Sequence, residues 1–142
     1  MTIKANTIKD IQLLELPMLG EENGSLVVME ALDDVPIEIQ RVFVVKGFTG
    51  AVRGQHAHRE LTQVLTCVHG TCEVICDDSH HKKTVKLVSS NQALCIPPGI
   101  WAEQLYEAED SVLVVLCDKH FDEQEYIRDY SDFLKYRQQL EK

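Results

Sequence analysis

Positive charge is scarce in this chain: 14 lysines and arginines stand against 23 aspartates and glutamates, a formal net charge of −9 over 142 residues. That balance makes a nucleic-acid backbone a poor partner for the surface as a whole, so no nucleic acid is expected, and an anionic ligand would need arginines gathered in a pocket. No basic segment precedes an apolar stretch, and no apolar run approaches the ~18 residues of a membrane-crossing helix. Neither a membrane partner nor a place outside the cytoplasm is therefore expected. Cysteine is present at an odd count, five, without a CxxC pair. All five fall in apolar, strand-like runs, which suits reduced core thiols better than a disulfide framework. Long linkers, repeats and low-complexity segments are also missing, so one domain over residues 1–142 is expected. A chain of this length can bury roughly two-thirds of its extended surface, so it needs no staples.

What the chain does contain is a succession of short strands. Residues 23–31, NGSLVVMEA, are β-rich after a turn. In PIEIQRVFVV, Ile37, Ile39, Arg41, Phe43 and Val45 alternate onto one face. TQVLTCV and TCEVICDD flank the short His69-Gly70 connection, a hairpin signal. DDSHHKK reads as a polar turn, with TVKLV, QALCIPPGIW, AEQLYEA and SVLVVLCD following. Many short strands with little helix predict an all-β sandwich or closed barrel. Only the end differs: Phe133, Tyr136, Arg137 and Leu140 recur at helical spacing behind Asp129 or Ser131 as cap, predicting a short C-terminal helix on the outside of the barrel.

Chemistry concentrates in RGQHAHRELTQVLTCVHG, residues 53–70. His56 and His58 are separated by one residue, so in an extended strand both rings leave the same face, about 6–7 Å apart. The spacing continues with four residues to Gln63 and six more to Gly70. This resembles the first motif of the cupin superfamily, with glutamine where metal-binding members carry glutamate. Pro97-Pro98-Gly99-Ile100-Trp101-Ala102 is similar to the second motif, PxG followed by two residues and histidine, but alanine stands at the histidine position. Protein metal sites of this kind normally supply three or more ligands, including a carboxylate; with two imidazoles left, neither a metal nor another cofactor is expected. Two neutral imidazoles on an inner face still suit proton transfer, since a pKa near ~6.5 lets the ring accept and return a proton at neutral pH. The plainer alternative is that both rings are held by core hydrogen bonds. His80 and His81 read as solvent-facing, His69 as a turn residue and His120 as a strand-end residue.

Arg41 is the odd member of an apolar strand face and needs an internal carboxylate or an anionic ligand. Arg53, just before the histidine pair, could clamp a phosphate through its planar fork. For both, an internal salt bridge with Glu73 or Glu103 is the competing expectation. Trp101, the only tryptophan, follows the Pro-Pro-Gly turn at the expected barrel mouth, where it could stack on a base or sugar or simply pack in the core. Glu103 and Tyr106 follow on the next strand and are expected to line the same cavity.

Taken together, RGQHAH, the QVLTCVHGTCEVICDD segment, IPPGIWAE and DEQEYIRDYSDFLKY resemble the bacterial nucleotide-sugar 3,4-ketoisomerases, the WxcM-like cupins, over roughly residues 23–136. The resemblance implies a cupin-type jelly-roll barrel and a homodimer with exchanged strands. It also implies metal-independent isomerisation of dTDP-4-keto-6-deoxy-D-glucose to a dTDP-3-keto-6-deoxyhexose, for surface polysaccharide such as the O-antigen of lipopolysaccharide. It makes His56 the principal base and His58 its companion. Arg41, Arg53 and Arg128 fall on motif arginines and become candidates for phosphate or pocket contacts, with Gln63, Trp101, Glu103 and Tyr106 as further substrate-binding candidates. Asn23, Phe43 and Ala102 depart from the pattern at positions expected to line the pocket and to steer which face of C4 is protonated. A cupin-type nucleotide-sugar epimerase, a metal-dependent cupin oxygenase and a non-catalytic nucleotide-sugar binder are the competing functions.

Overall fold

A computed structural model describes residues 5–142. The strands are β1 (Gln12–Glu15), β2 (Met18–Glu21), β3 (Gly24–Val27), β4 (Arg41–Gly47), β5 (Val52–His58), β6 (Gln63–His69), β7 (Cys72–Asp77), β8 (Lys82–Leu87), β9 (Gln92–Ile96), β10 (Trp101–Tyr106), β11 (Ser111–Cys117) and β12 (Tyr126–Ile127), followed by the helix α1 (Tyr130–Leu140). Ten of the strands form two five-stranded antiparallel sheets, ordered β1-β9-β6-β11-β4 and β12-β5-β10-β7-β8, and β2-β3 form a separate hairpin. The fold is the expected all-β, cupin-type jelly roll with a short C-terminal helix.

The pleat explains the core. Leu65, Cys67, Leu113, Val115 and Cys117 of one sheet meet Cys72, Val74, Cys76, Ala102 and Tyr106 of the other in a single interior cluster. SVLVVLC is apolar on both faces because the outer face of its sheet is also covered. Val114 and Leu116 point outward into a second cluster with Val35, Ile37 and Ile39. This corrects one expectation: Ile37 and Ile39 precede β4 and pack against the outside of the sheet, whereas Phe43 and Val45 reach the interior.

A second correction concerns His69-Gly70. β6 pairs with β9 and β11, and β7 with β8 and β10, so these neighbours in sequence lie in different sheets and form no hairpin. The chain turns a corner there. Gly70 has φ +75°, and a Cβ on it would lie 2.5 Å from Ser111 Oγ, so the corner needs both the left-handed conformation and the missing side chain.

The Asp129 carboxylate caps α1 by accepting the Asp132 N–H. Phe133 packs the helix onto Ala57, Trp101 and Ile127, on the outside of the second sheet. The buried Arg137 donates to the carbonyls of Asn6 and Gly99 and pairs with Glu141, locking the helix to both loops. Within the described residues, no helix is long and apolar enough to cross a membrane.

Candidate active site

Between the sheets lies a cavity of about 100 Å³ lined by Phe43, Val45, Arg53, Gly54, His56, Gln63, Leu65, Gln104, Tyr106, Leu113 and Val115. His56 reaches it through a break in β5. Opposite β5, Gln104 faces Arg53, Glu103 faces Gly54 and Ala102 faces His56, leaving Gln55 without a partner. This is a β-bulge, with Gly54 at φ +83° and Gln55 at φ +57°. A Cβ on Gly54 would lie 2.5 Å from Gln104 Oε1 and 3.0 Å from the Ala102 carbonyl oxygen, so this arm of the bulge is restricted to glycine.

The bulge also fixes the His56 tautomer. Its Nδ1 lies 3.0 Å from the Gly54 carbonyl oxygen. Because a carbonyl only accepts, Nδ1 carries the hydrogen and Nε2 is left with a free lone pair. Burial lowers the His56 pKa below its usual 6.5, opposed by the Gly54 bond. His58 stands beside it, the ring centroids 4.9 Å apart in an edge-on arrangement. His58 is 4% exposed, and its Nδ1 has no partner among the described residues. Burial first, then the neighbouring His56, Arg128 and Arg41, push its pKa down to about 3. Both rings are neutral at pH 7.

Cationic groups gather at this end of the barrel. Arg41 Nη1 donates to the Tyr126 hydroxyl at 3.2 Å, and its guanidinium lies 4.7 Å from the Phe43 ring centroid and 5.0 Å from that of Phe121. Arg128 sits 4.3 Å above the Tyr126 ring and is held by a two-pronged bond to Glu123 at 2.7 and 3.0 Å. Arg53 opens onto the cavity. Among the described residues neither Arg41 nor Arg53 pairs with a carboxylate; the expected bridges to Glu73 or Glu103 are not formed.

Two sequence-based placements need correction. Trp101 is buried beneath α1, 5.2 Å from the Tyr130 ring and 5.6 Å from that of Phe133, and donates its indole N–H to Glu103. Glu103 shares that outer face, where both border a separate groove with Asp77, Lys82 and Tyr130. Tyr106 does face the cavity, and period-two alternation along β10 then forces Trp101 and Glu103 outward. Of the three departures noted in the sequence, Phe43 lines the cavity and Ala102 opposes His56, while Asn23 lies in the exposed turn between β2 and β3. No group of three or more His, Cys, Asp or Glu stands where it could hold a metal ion, among the described residues. His69, His80, His81 and His120 are all exposed; His69 ends β6 rather than lying in the turn.

Residues 9–138 match the FdtA family, described as WxcM-like, C-terminal. The chain belongs to this family. A curated relative, the TDP-4-oxo-6-deoxy-alpha-D-glucose-3,4-oxoisomerase of Aneurinibacillus thermoaerophilus, is 38% identical over 126 residues, 88% of this chain and 91% of the relative. Among solved structures, a 3,4-ketoisomerase from Helicobacter canadensis has a TM-score of 0.88 at 34% identity, covering 91% of this chain and 98% of that one. QdtA, a sugar 3,4-ketoisomerase from Thermoanaerobacterium thermosaccharolyticum solved in complex with TDP, has a TM-score of 0.89 at 28% identity, covering 94% and 98%.

Sequence reasoning missed two contributors to this family member's site. Tyr126 stands directly across from His58 on the two-residue strand β12, and its ring contacts both imidazoles at centroid distances of 5.0 and 4.5 Å. Phe121 packs against Tyr126. The EYIR sequence held a faint cue, a tyrosine two residues before a motif arginine, but a strand this short leaves no periodic signal.

Proposed function

We propose that this protein is a metal-independent TDP-4-keto-6-deoxy-D-glucose 3,4-ketoisomerase, with His56 as the base and His58 as its neutral companion. The observation that carries the reading is the His56 tautomer. Its Nδ1–H is committed to the Gly54 carbonyl, and its bare Nε2 belongs to a ring that lines the cavity. The 38% identical oxoisomerase supports the substrate class, as does a histidine-to-asparagine mutant of QdtA solved with TDP-4-keto-6-deoxyglucose.

In this reading the His56 lone pair takes the proton from C3. The C–H electrons form the C3=C4 bond, and the C4 carbonyl pair moves onto O4, which is protonated to give an enediol. O3–H then loses its proton, C3=O forms, and the C3=C4 pair takes a proton at C4. Atoms and electrons balance without a redox partner. A neutral His58 can donate a hydrogen bond to the developing oxyanion and carry the hydroxyl proton between oxygens. Arg41, Arg53 and Arg128 supply the positive charge a diphosphate needs. Gln63 and Tyr106 face the sugar from the cavity wall; Trp101 and Glu103 border the outer groove instead.

The reading extends to one domain over residues 1–142, a cytoplasmic enzyme with five free buried thiols, and a homodimer. The exposed Met18, Leu19 and Leu26 of the β2-β3 hairpin offer apolar surface for a second copy, and light scattering measures that state. The product would feed synthesis of surface polysaccharide. The deciding experiment is incubation with TDP-4-keto-6-deoxyglucose in deuterated water, followed by NMR. A carbonyl moved to C3 with deuterium at C4 is expected; an unmoved carbonyl with an inverted carbon would mean an epimerase, and an unchanged bound sugar a sensor. His56→Asn should lose roughly 10²–10⁴-fold in turnover while still binding TDP.

A further inference from the structure

Tyr126 ties the two halves of the site together. Among the described residues its hydroxyl is the only polar partner of the Arg41 guanidinium, accepting the Nη1–H at 3.2 Å. Its ring stands edge-on to His56 and His58, at 5.0 and 4.5 Å. The His58 imidazole makes no hydrogen bond within the described residues, and its buried Nδ1 is unpartnered. Packing alone therefore fixes that ring's angle, and the Tyr126 ring is its nearest aromatic neighbour. Above Tyr126 sits the Arg128 guanidinium. Arg128 is held by Glu123, whereas Arg41, on a long, flexible side chain, has only the Tyr126 hydroxyl as a polar anchor among the described residues.

We propose that Tyr126 is a positioning residue with two separable parts: its hydroxyl holds Arg41 where it meets the diphosphate, and its ring holds the His58 imidazole where it meets the sugar. The proposal rests on the ketoisomerase reading for what Arg41 and His58 contact. The two parts predict different losses. Removing the hydroxyl loosens a group that binds ground state and transition state alike, which raises KM more than it lowers kcat. Removing the ring frees a group that acts in the chemical step.

The test compares Tyr126→Phe, which keeps the ring, with Tyr126→Leu, which does not. TDP affinity is measured by calorimetry, the imidazoles by ¹H–¹⁵N NMR, and turnover by kcat and KM. Tyr126→Phe should raise the TDP Kd and the KM about tenfold, with a much smaller fall in kcat and unmoved imidazole signals. In an Arg41→Met background the same substitution should add nothing, because the hydroxyl acts only through Arg41. Tyr126→Leu should in addition shift the His58 signals and lower kcat. Undiminished TDP affinity in Tyr126→Phe, or full additivity with Arg41→Met, overturns the hydroxyl's role; unmoved His58 signals in Tyr126→Leu overturn the ring's. If the leucine variant fails to fold, the double-mutant cycle still decides the hydroxyl's role, and Tyr126→Met replaces leucine as the variant that removes the ring, read by the same His58 signals. Affinity and NMR need no turnover, so a protein that bound TDP without isomerising the sugar would sink the functional reading and leave this one standing.

Discussion

Arg53 and His56 line one cavity although they lie three positions apart on β5, a separation that puts residues on opposite faces of a regular strand. The extra residue of the bulge restores their agreement: Arg53 opposes Gln104 and His56 opposes Ala102, both inward-facing partners. Without it, either the arginine or both histidines would turn out of the barrel. Gln55, at φ +57°, holds a conformation that glycine adopts at little cost and a β-branched residue resists. Gln55→Gly should leave stability unchanged or raise it by up to about 1 kcal/mol, since the relieved strain offsets the greater freedom of the unfolded chain. Gln55→Val should cost about 1–3 kcal/mol and lower activity more than stability, because the distortion falls on His56. Urea unfolding beside steady-state kinetics checks both, and a valine variant as active as the wild type would remove the bulge from the mechanism.

Ala102 faces His56 directly across the sheet, and Gln63 reaches the same cavity. These are the two positions where metal-binding cupins are expected to carry ligands. Wild-type turnover should survive a strong chelator. The double substitution Gln63→Glu, Ala102→His should create a site with three imidazoles and a carboxylate, enough to hold a first-row divalent cation. Calorimetric titration with zinc should then show one site in the variant and none in the wild type; a folded variant that stays metal-free would mean the backbone no longer presents these positions as a ligand set.

Gly47, the last residue of β4, packs against Tyr106, which lines the cavity. A Cβ there would lie 2.2 Å from Tyr106 Cγ, and Tyr106 is fully buried, with 1% exposure. The ring has no room to retreat, so Gly47→Ala should destabilise the protein by about 1–3 kcal/mol through overpacking. Gly20, with open space at its Cβ position, serves as the control; equal midpoints for the two alanine variants in urea would contradict the packing argument.

Much of this was legible in the chain itself. Most strands from β4 to β11 announce themselves as short β-rich runs between turn signals, and HAH with Gln63 and Ala102 carries the cupin pattern and its broken ligand set. What stayed hidden depends on through-space pairing. The corner at Gly70 looks like a hairpin because a sequence does not say which sheet the next strand joins. Trp101 and Glu103 could have been separated from Tyr106 by parity alone, once the buried tyrosine was taken as the inward residue. Ile37 and Ile39 keep the rhythm of β4 but lie before it, so the rhythm assigned them to the wrong surface. The bulge at Gln55 and the contact of Tyr126 with His58 are invisible because each is a single-residue event: one breaks a period, the other is too short to have one.

The buried imidazoles give the protein a specific acid sensitivity. His58 titrates near 6.5 when unfolded but only at about 3 in the folded chain, so between those values the unfolded state holds a proton that the native state refuses. Stability therefore rises with pH across that window: the contribution of the neutral ring is fully present above about 6.5 and is lost as the pH falls toward 3, at about 1.4 kcal/mol per unit. His56 adds to the loss in the same direction, its folded value also lying below 6.5. Between pH 7 and pH 5 the wild type should lose about 2 kcal/mol more than His58→Gln, which has no ring to protonate. Its kcat/KM should also hold to below pH 6.5, because the base remains unprotonated there. Parallel stability curves for the two proteins from pH 7 to pH 5 would mean that His58 is hydrated and free to charge, and its place as a neutral donor in the mechanism would go with it.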